Sequence, residues 1–230
     1  MEAIILAGGM GTRLKAVLPD IPKPLAPIGD KPFLGYLLKY LEDSGIDSVI
    51  LAVGYKYECL EEYFGNCYGR VSLKYSVEDK PLGTGGATQK ALAMASGNEV
   101  AVLNGDTFFR APLAEMRRKH LESDSEISVA LKPMRQVSRY GNVIVAGSKI
   151  VKFEEKAPVG EGLINGGVYI FNKKVFERFE LPARFSLEAD FFQRYVGELR
   201  MAAFISDEYF IDIGLPEDYY KSQQELAGFL

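Results

Sequence analysis

A chain of 230 residues, 47% hydrophobic and 25% charged, is long enough to bury a substantial core as one domain. Its net charge of -4 is mild and its Lys and Arg are scattered, which argues against a nucleic-acid-binding surface. No apolar run approaches the roughly 18 residues of a membrane span, and Met1 leads into a strand without a cationic leader, so a cytoplasmic protein with no membrane partner is expected. Cys59 and Cys67 are spaced outside the close pairs of structural zinc sites, and the single histidine adds too few ligands, so both read as reduced thiols.

In chain order, AIILA at 3–7 reads as a strand that runs into glycines at 8, 9 and 11. Those glycines let backbone N–H groups approach an anion closely, and a helix expected from near Thr12 turns its positive end to the same spot. Arg13 and Lys23 supply formal charge, Lys23 from an extended segment between Pro22 and Pro24. Two commoner phosphate loops are excluded. Counted from Gly8, the sixth position is Arg13 where a Walker loop needs glycine, and a dinucleotide fingerprint begun at Gly9 and Gly11 meets Leu14 in place of its third glycine. The strand at 48–53 also ends in Gly54 and Tyr55, with no ribose-binding acid.

Phe33, Leu37 and Leu41 recur at helical spacing until Ser44 and Gly45, and Ala87, Ala91 and Ala95 do the same until Gly97. Between them, SVILAV at 48–53, VSLKYS at 71–76 and EVAVL at 99–103 read as strands, and this alternation predicts a largely parallel sheet with crossover helices. His120, in the polar helical segment AEMRRKHLES, is expected on the solvated surface. After about residue 125 the texture changes to ISVALK, NVIV, KIVKF and GGVYIF with short turns, which predicts mixed and antiparallel strands before a final helix from Pro216. The chain therefore reads as one domain over 1–230, with a first half to about 125 and a second half from 126. It carries no internal repeat or low-complexity segment.

A ligand of an open α/β sheet lies beyond the carboxyl ends of the strands, near the switch in strand order. The first strand delivers the glycine turn there and the fourth delivers Asn104, Gly105 and Asp106. An acid beside a bound anion needs a cation, and Mg²⁺ is the natural one, held by one or two carboxylates together with substrate phosphates. Asp212 is the candidate second carboxylate, because it lies between apolar residues where an unpaired charge is costly. Plainer readings exist: Asp106 as a turn residue, Lys23 as a solvated lysine, Asp212 in a structural ion pair, and NGGVYIF as a strand opened by a turn.

LAGGMGTRL followed by PKPL resembles the signature of the sugar-1-phosphate nucleotidyltransferases. Further segments follow in that family's order: PLGTGGA at 81–87, NGD at 104–106, YGNV at 140–143, FEEK at 153–156, NGGVYIF at 165–171 and FIDIGLPEDY at 210–219. The resemblance implies a Rossmann-like α/β fold, a mixed, mostly parallel twisted sheet flanked by helices, with a nucleotide-binding half at about 1–125 and a sugar-phosphate-binding half at about 126–230. It also implies Mg²⁺-dependent transfer of a nucleoside monophosphate from a nucleoside triphosphate to a sugar 1-phosphate, with release of pyrophosphate. Position by position, it assigns Arg13 and Lys23 to the phosphates, Asp106 and Asp212 to the metal, and Lys156 to the sugar phosphate. The sugar end falls to Gly141, Glu155 and Asn165. The nucleotide falls to Leu6, Ala7, Gly8, Gly9, Gly11, Thr12, Gly83, Thr84, Asn104 and Asp106. DIPKPLAPIGDKPFL and EDKPLGTGGA most resemble the short guanylyltransferases acting on D-glycero-D-manno-heptose 1-phosphate, which implies GTP as the nucleotide.

Thymidylyl, uridylyl or cytidylyl transfer to another hexose 1-phosphate is the alternative within the class, and oligomeric state stays open. A non-catalytic nucleotide-sugar-binding relative would have lost charge at the site, whereas Arg13, Lys23, Asp106, Lys156 and Asp212 are all present. A glycosyltransferase would ordinarily carry an acid pair where this chain has the single acid of NGD. The end at Leu230 and the lack of hexapeptide repeats are expected of a protein with one activity and no appended solenoid.

Overall fold

Along β1 (Glu2–Leu6), Ala3 and Ile5 enter one core layer and Ile4 the other, because successive side chains of a strand point to opposite faces of a sheet. A strand buried on both faces needs helices on both sides, and the computed structural model supplies them. It describes residues 1–9, 14, 17–18, 21–135, 137, 140–154 and 160–229.

After β1 come a single 3₁₀ turn at Lys23–Leu25 and a small hairpin of β2 (Pro27–Ile28) and β3 (Lys31–Pro32). Lys23 therefore starts a helical turn instead of an extended segment: the prolines fix φ on both sides, and Ala26 N–H closes the turn onto Lys23 O at 3.0 Å. Next is α1 (Phe33–Asp43), which buries Phe33, Leu34, Leu37, Leu38 and Leu41. It ends where Ser44 and Gly45 predict, in a Schellman cap: Gly45, at φ +76°, donates to Glu42 O, and Ile46 donates to Leu41 O at 3.0 Å.

The first half continues with β4 (Ser48–Val53), α2 (Tyr57–Phe64), β5 (Cys67–Tyr68), β6 (Val71–Val77), α3 (Gly83–Met94), β7 (Glu99–Asn104), β8 (Thr107–Phe109) and α4 (Leu113–Glu122). The other half holds β9 (Ile127–Met134), β10 (Asn142–Ala146), β11 (Lys149–Glu154) and β12 (Gly162–Asn172). A π-helical turn at Leu187–Phe192 then runs into α5 (Gln193–Tyr195), followed by β13 (Met201–Ile205), β14 (Phe210–Asp212) and α6 (Pro216–Glu225).

Among the described residues, ten strands form one sheet in the order β10-β11-β13-β9-β12-β7-β1-β4-β6-β5. Only β5, β11 and β12 run against the rest, so the mostly parallel mixed sheet flanked by helices is the architecture observed. One core layer gathers Leu34 and Leu37 of α1, Leu60 of α2, Met116 of α4 and Tyr219 of α6. The other gathers Ala87 and Ala91 of α3 with Phe191 and Phe192 of the π turn.

His120 departs from expectation. Its helix forms, but with Leu113 and Met116 it makes the inward face, at 3% exposure, and its Nδ1 lies 2.8 Å from Ser128 Oγ on β9. A polar sequence hid an apolar stripe anchored by a satisfied imidazole. Cys59 and Cys67 are free and exposed, as read. No helix of the described residues is long and apolar enough to cross a membrane.

Candidate functional site

β1 pairs in parallel with β4 on one side and with β7 on the other, so strand order reverses at β1 and a crevice opens beyond the carboxyl ends of β1 and β7. A cavity of about 320 Å³ occupies it. Leu6, Ala7, Gly8 and Gly9 enter from β1, Gly83 and Thr84 from the first turn of α3, and Asn104, Gly105 and Asp106 from the end of β7. The two strand ends touch: Gly105 N–H donates to Leu6 O at 3.0 Å, and a Cβ on Gly105 would lie 2.4 Å from that oxygen. Only glycine permits this approach.

Lys23, Glu78 and Asp106 are the charged residues of the cavity's lining. Lys23 Nζ lies 2.7 Å from Asp106 Oδ2, with the lysine side chain 11% exposed and the aspartate 37%. The backbone at Asp212 is brought beside that at Asp106 through a pairing the sequence pattern does not announce, although Asp212 does not itself line the cavity. β14 runs antiparallel to β8 with Asp212 opposite Thr107, and Ile213 N–H donates to Asp106 O at 2.9 Å. The carboxylate of Asp212 accepts Gly214 N–H at 2.6 Å. Two acids 106 positions apart in sequence thus have neighbouring backbones across a two-stranded ribbon. As a donor set they suit Mg²⁺, a hard cation that one or two carboxylates hold together with substrate phosphates. Among the described residues, no cluster of three or more His, Cys, Asp and Glu offers the closed shell of a structural metal site.

A second cavity, of about 240 Å³, opens beside the first and is lined by Gly141, Asn142, Glu154, Asn165 and Glu188 among others. Asn165 spends its side chain internally: Nδ2 donates to Tyr169 Oη and to Glu188 Oε1, both at 2.8 Å, and Oδ1 accepts Gly167 N–H at 3.0 Å. Tyr169 is fully buried, and burial pushes its phenol well above the ordinary value. Tyr169, Asn165 and Glu188 form a hydrogen-bonded chain at the second cavity, and Asn104 of the first cavity lies close enough to oppose the upward shift of the Tyr169 phenol.

The expected residues Leu6, Ala7, Gly8, Gly9, Lys23, Gly83, Thr84, Asn104 and Asp106 therefore gather around one cavity, and Gly141 and Asn165 around its neighbour. Gly11, Thr12, Arg13, Glu155 and Lys156, with the helix expected near Thr12, lie outside the described residues. Two acids had been passed over. Glu78 follows β6 and lines the first cavity, with Oε2 accepting Leu82 N–H at 2.8 Å. Burial raises its carboxyl, against which the Leu82 bond and then Lys90 pull it down. Its position, an acid at the carboxyl end of a strand just before PLGTGG, was a readable signal. Glu188 had none, because SLEADFF reads as an ordinary amphipathic turn.

The nucleotidyl transferase family matches residues 2–228. The chain is 49% identical over 230 residues to the D-glycero-alpha-D-manno-heptose 1-phosphate guanylyltransferase of Aneurinibacillus thermoaerophilus, covering 100% of each. It is 50% identical over 221 residues to the protein of the same name from Campylobacter jejuni subsp. jejuni serotype O:2, covering 96% of this chain and 97% of the other. The crystal structure of HddC from Yersinia pseudotuberculosis complexed with GMP-PN superposes with a TM-score of 0.86 at 36% identity, over 98% of this chain and 99% of that one.

Proposed function

The chain belongs to the nucleotidyl transferase family, and from that premise we propose that it is a guanylyltransferase joining GTP and D-glycero-α-D-manno-heptose 1-phosphate into GDP-heptose and pyrophosphate. The observation that carries the reading is identity near one half from end to end, across both cavities, with two proteins named for that reaction.

The chemistry needs no protein nucleophile. An oxygen of the sugar 1-phosphate attacks the α-phosphorus of GTP, a new P–O bond forms, and the bond to the bridging oxygen of the β-phosphate breaks as pyrophosphate leaves. The attacking oxygen is already an anion, so no proton has to be removed. What remains is to hold two mutually repelling polyanions in line and to offset charge on the transition state. Lys23 is fixed at the cavity by Asp106 and presents its ammonium to the triphosphate. Arg13 adds a second cation to the phosphates and Lys156 holds the attacking phosphate. Gly8 and Gly9 bring backbone close to the nucleotide. Asp106 and Asp212 would hold Mg²⁺, which supplies charge neutralisation at the α-phosphate.

Guanine fits the position of Glu78. A carboxylate only accepts hydrogen bonds, and among the five common bases guanine alone puts two adjacent donors, N1–H and the N2 amino group, on its Watson–Crick edge. Adenine, uracil, thymine and cytosine each set an acceptor beside the donor, which a desolvated carboxylate repels. Abundant nucleoside triphosphates place such an enzyme in the cytoplasm. The test is ³¹P NMR and mass analysis of a reaction of GTP, Mg²⁺ and the heptose 1-phosphate. A guanosine diphosphate ester of heptose formed together with pyrophosphate, and only when all components are present, supports the reading, and free GMP or GDP without the ester overturns it.

A further inference from the structure

The second cavity contains a carboxylate with no role in the reading above. Glu188 sits in the π-helical turn Leu187–Phe192, a rare form that recurs as single turns at functional sites. The turn is heavily anchored. Leu187, Phe191 and Phe192 are buried in the core, Ser186 Oγ accepts Ala189 N–H at 3.2 Å, and Asp190 Oδ2 accepts Ser186 N–H at 2.7 Å. Leu187 N–H donates to Thr84 Oγ1 at 2.9 Å, and Phe185 O accepts Gly85 N–H at 2.9 Å, so the turn is also tied to the loop that lines the nucleotide cavity.

What this anchoring holds in place is Glu188. Its Oε1 accepts from Asn165, and among the described residues Oε2 has no hydrogen-bond partner. Desolvation raises its carboxyl, the Asn165 bond pulls it partly back, and the charge of Asp106 raises it further. Glu188 is exposed on the cavity wall, so Oε2 is open to the cavity and can exchange water for the hydroxyl donors of a ligand. Asn165 is in the opposite condition, since both its amide hydrogens and its oxygen are already used inside the protein.

We propose that Glu188 is the side chain that accepts hydrogen bonds from ring hydroxyls of the sugar 1-phosphate, and that Asn165 is a positioning residue that aims it. Two neighbouring hydroxyls match this carboxylate, whose two oxygens offer about four lone-pair sites, of which Asn165 occupies one on Oε1. The inference rests on the sugar-phosphate reading of this cavity and goes beyond it by naming the group that selects the sugar.

The test is steady-state pyrophosphate release from GTP and D-glycero-α-D-manno-heptose 1-phosphate by the wild type, Glu188→Gln, Asn165→Ala and the double variant. Glu188→Gln is nearly isosteric and keeps the Asn165 contact, so its folding is secure. It is expected to raise the KM of the sugar phosphate roughly 10- to 100-fold while leaving the KM of GTP within about twofold. Asn165→Ala is expected to raise the sugar-phosphate KM alone, and to add nothing in the Glu188→Gln background. A Glu188→Gln enzyme with unchanged sugar-phosphate KM, or with both KM values raised equally, overturns the assignment while the function stands. A wild type that releases no pyrophosphate overturns the function and the inference together.

Discussion

Lys23 and Asp106 form a 2.7 Å pair at the edge of the first cavity, and under the proposed function each is worth more to the reaction than to the fold. Pairs this accessible contribute little stability, roughly 0–1 kcal/mol, whereas charge aimed at a transition state is worth several times that. Lys23→Ala and Asp106→Ala are each expected to lower kcat by about 100-fold or more with melting temperature nearly unchanged. Near-normal turnover in either removes that residue from the mechanism. Glu78 makes a second prediction at this scale. If it reads the N2 amino group of guanine, the wild type prefers GTP to ITP, which lacks that group, and Glu78→Gln narrows the preference by roughly 10-fold, as expected for a lost charged hydrogen bond. An unchanged GTP to ITP ratio in the variant excludes base reading by Glu78.

Two elements carry constraints that packing imposes and sequence barely shows. α4 docks on β9 through His120 and Ser128, and desolvation chiefly lowers the His120 pKa below 6.5. Above pH 6.5 the imidazole is neutral folded and unfolded, so it costs nothing. As pH falls through 6.5, the unfolded chain takes up a proton that the folded chain refuses, and stability is lost. Melting temperature is therefore expected to fall more steeply from pH 7.5 to 5.5 in the wild type than in His120→Gln, and parallel curves contradict a buried neutral imidazole. At the join of β1 and β7, Gly105→Ala would drive a methyl into Leu6 O. The expected result is a melting temperature lower by about 3–10 °C and a higher KM for GTP, because both strand ends line the cavity. The parallel strands and α1 were legible because they are long, apolar and punctuated by glycine. The β8–β14 ribbon was not, since three residues of strand with a distant partner leave no periodic signal.

At the scale of the molecule, a reversal of strand order at β1 gathers the ends of β1, β6 and β7 around one cavity, and the hydrogen-bonded chain of Tyr169, Asn165 and Glu188 holds the wall of the next. That Gly8, Gly9, Lys23 and Asp106 share one cavity was legible because each sits in a short motif at or near the end of a strand. Glu78 and Glu188 depend on which strand ends and turns become neighbours, and that is decided only when the sheet closes its topology. The account's central claim is that these two cavities take GTP and a heptose 1-phosphate. It is tested most directly by Mg²⁺-dependent pyrophosphate release across GTP, ATP, UTP, CTP and dTTP against heptose, mannose, glucose and N-acetylglucosamine 1-phosphates. Release confined to GTP with the heptose phosphate is the predicted result, and turnover dominated by another pair, or none from the folded protein, would contradict it.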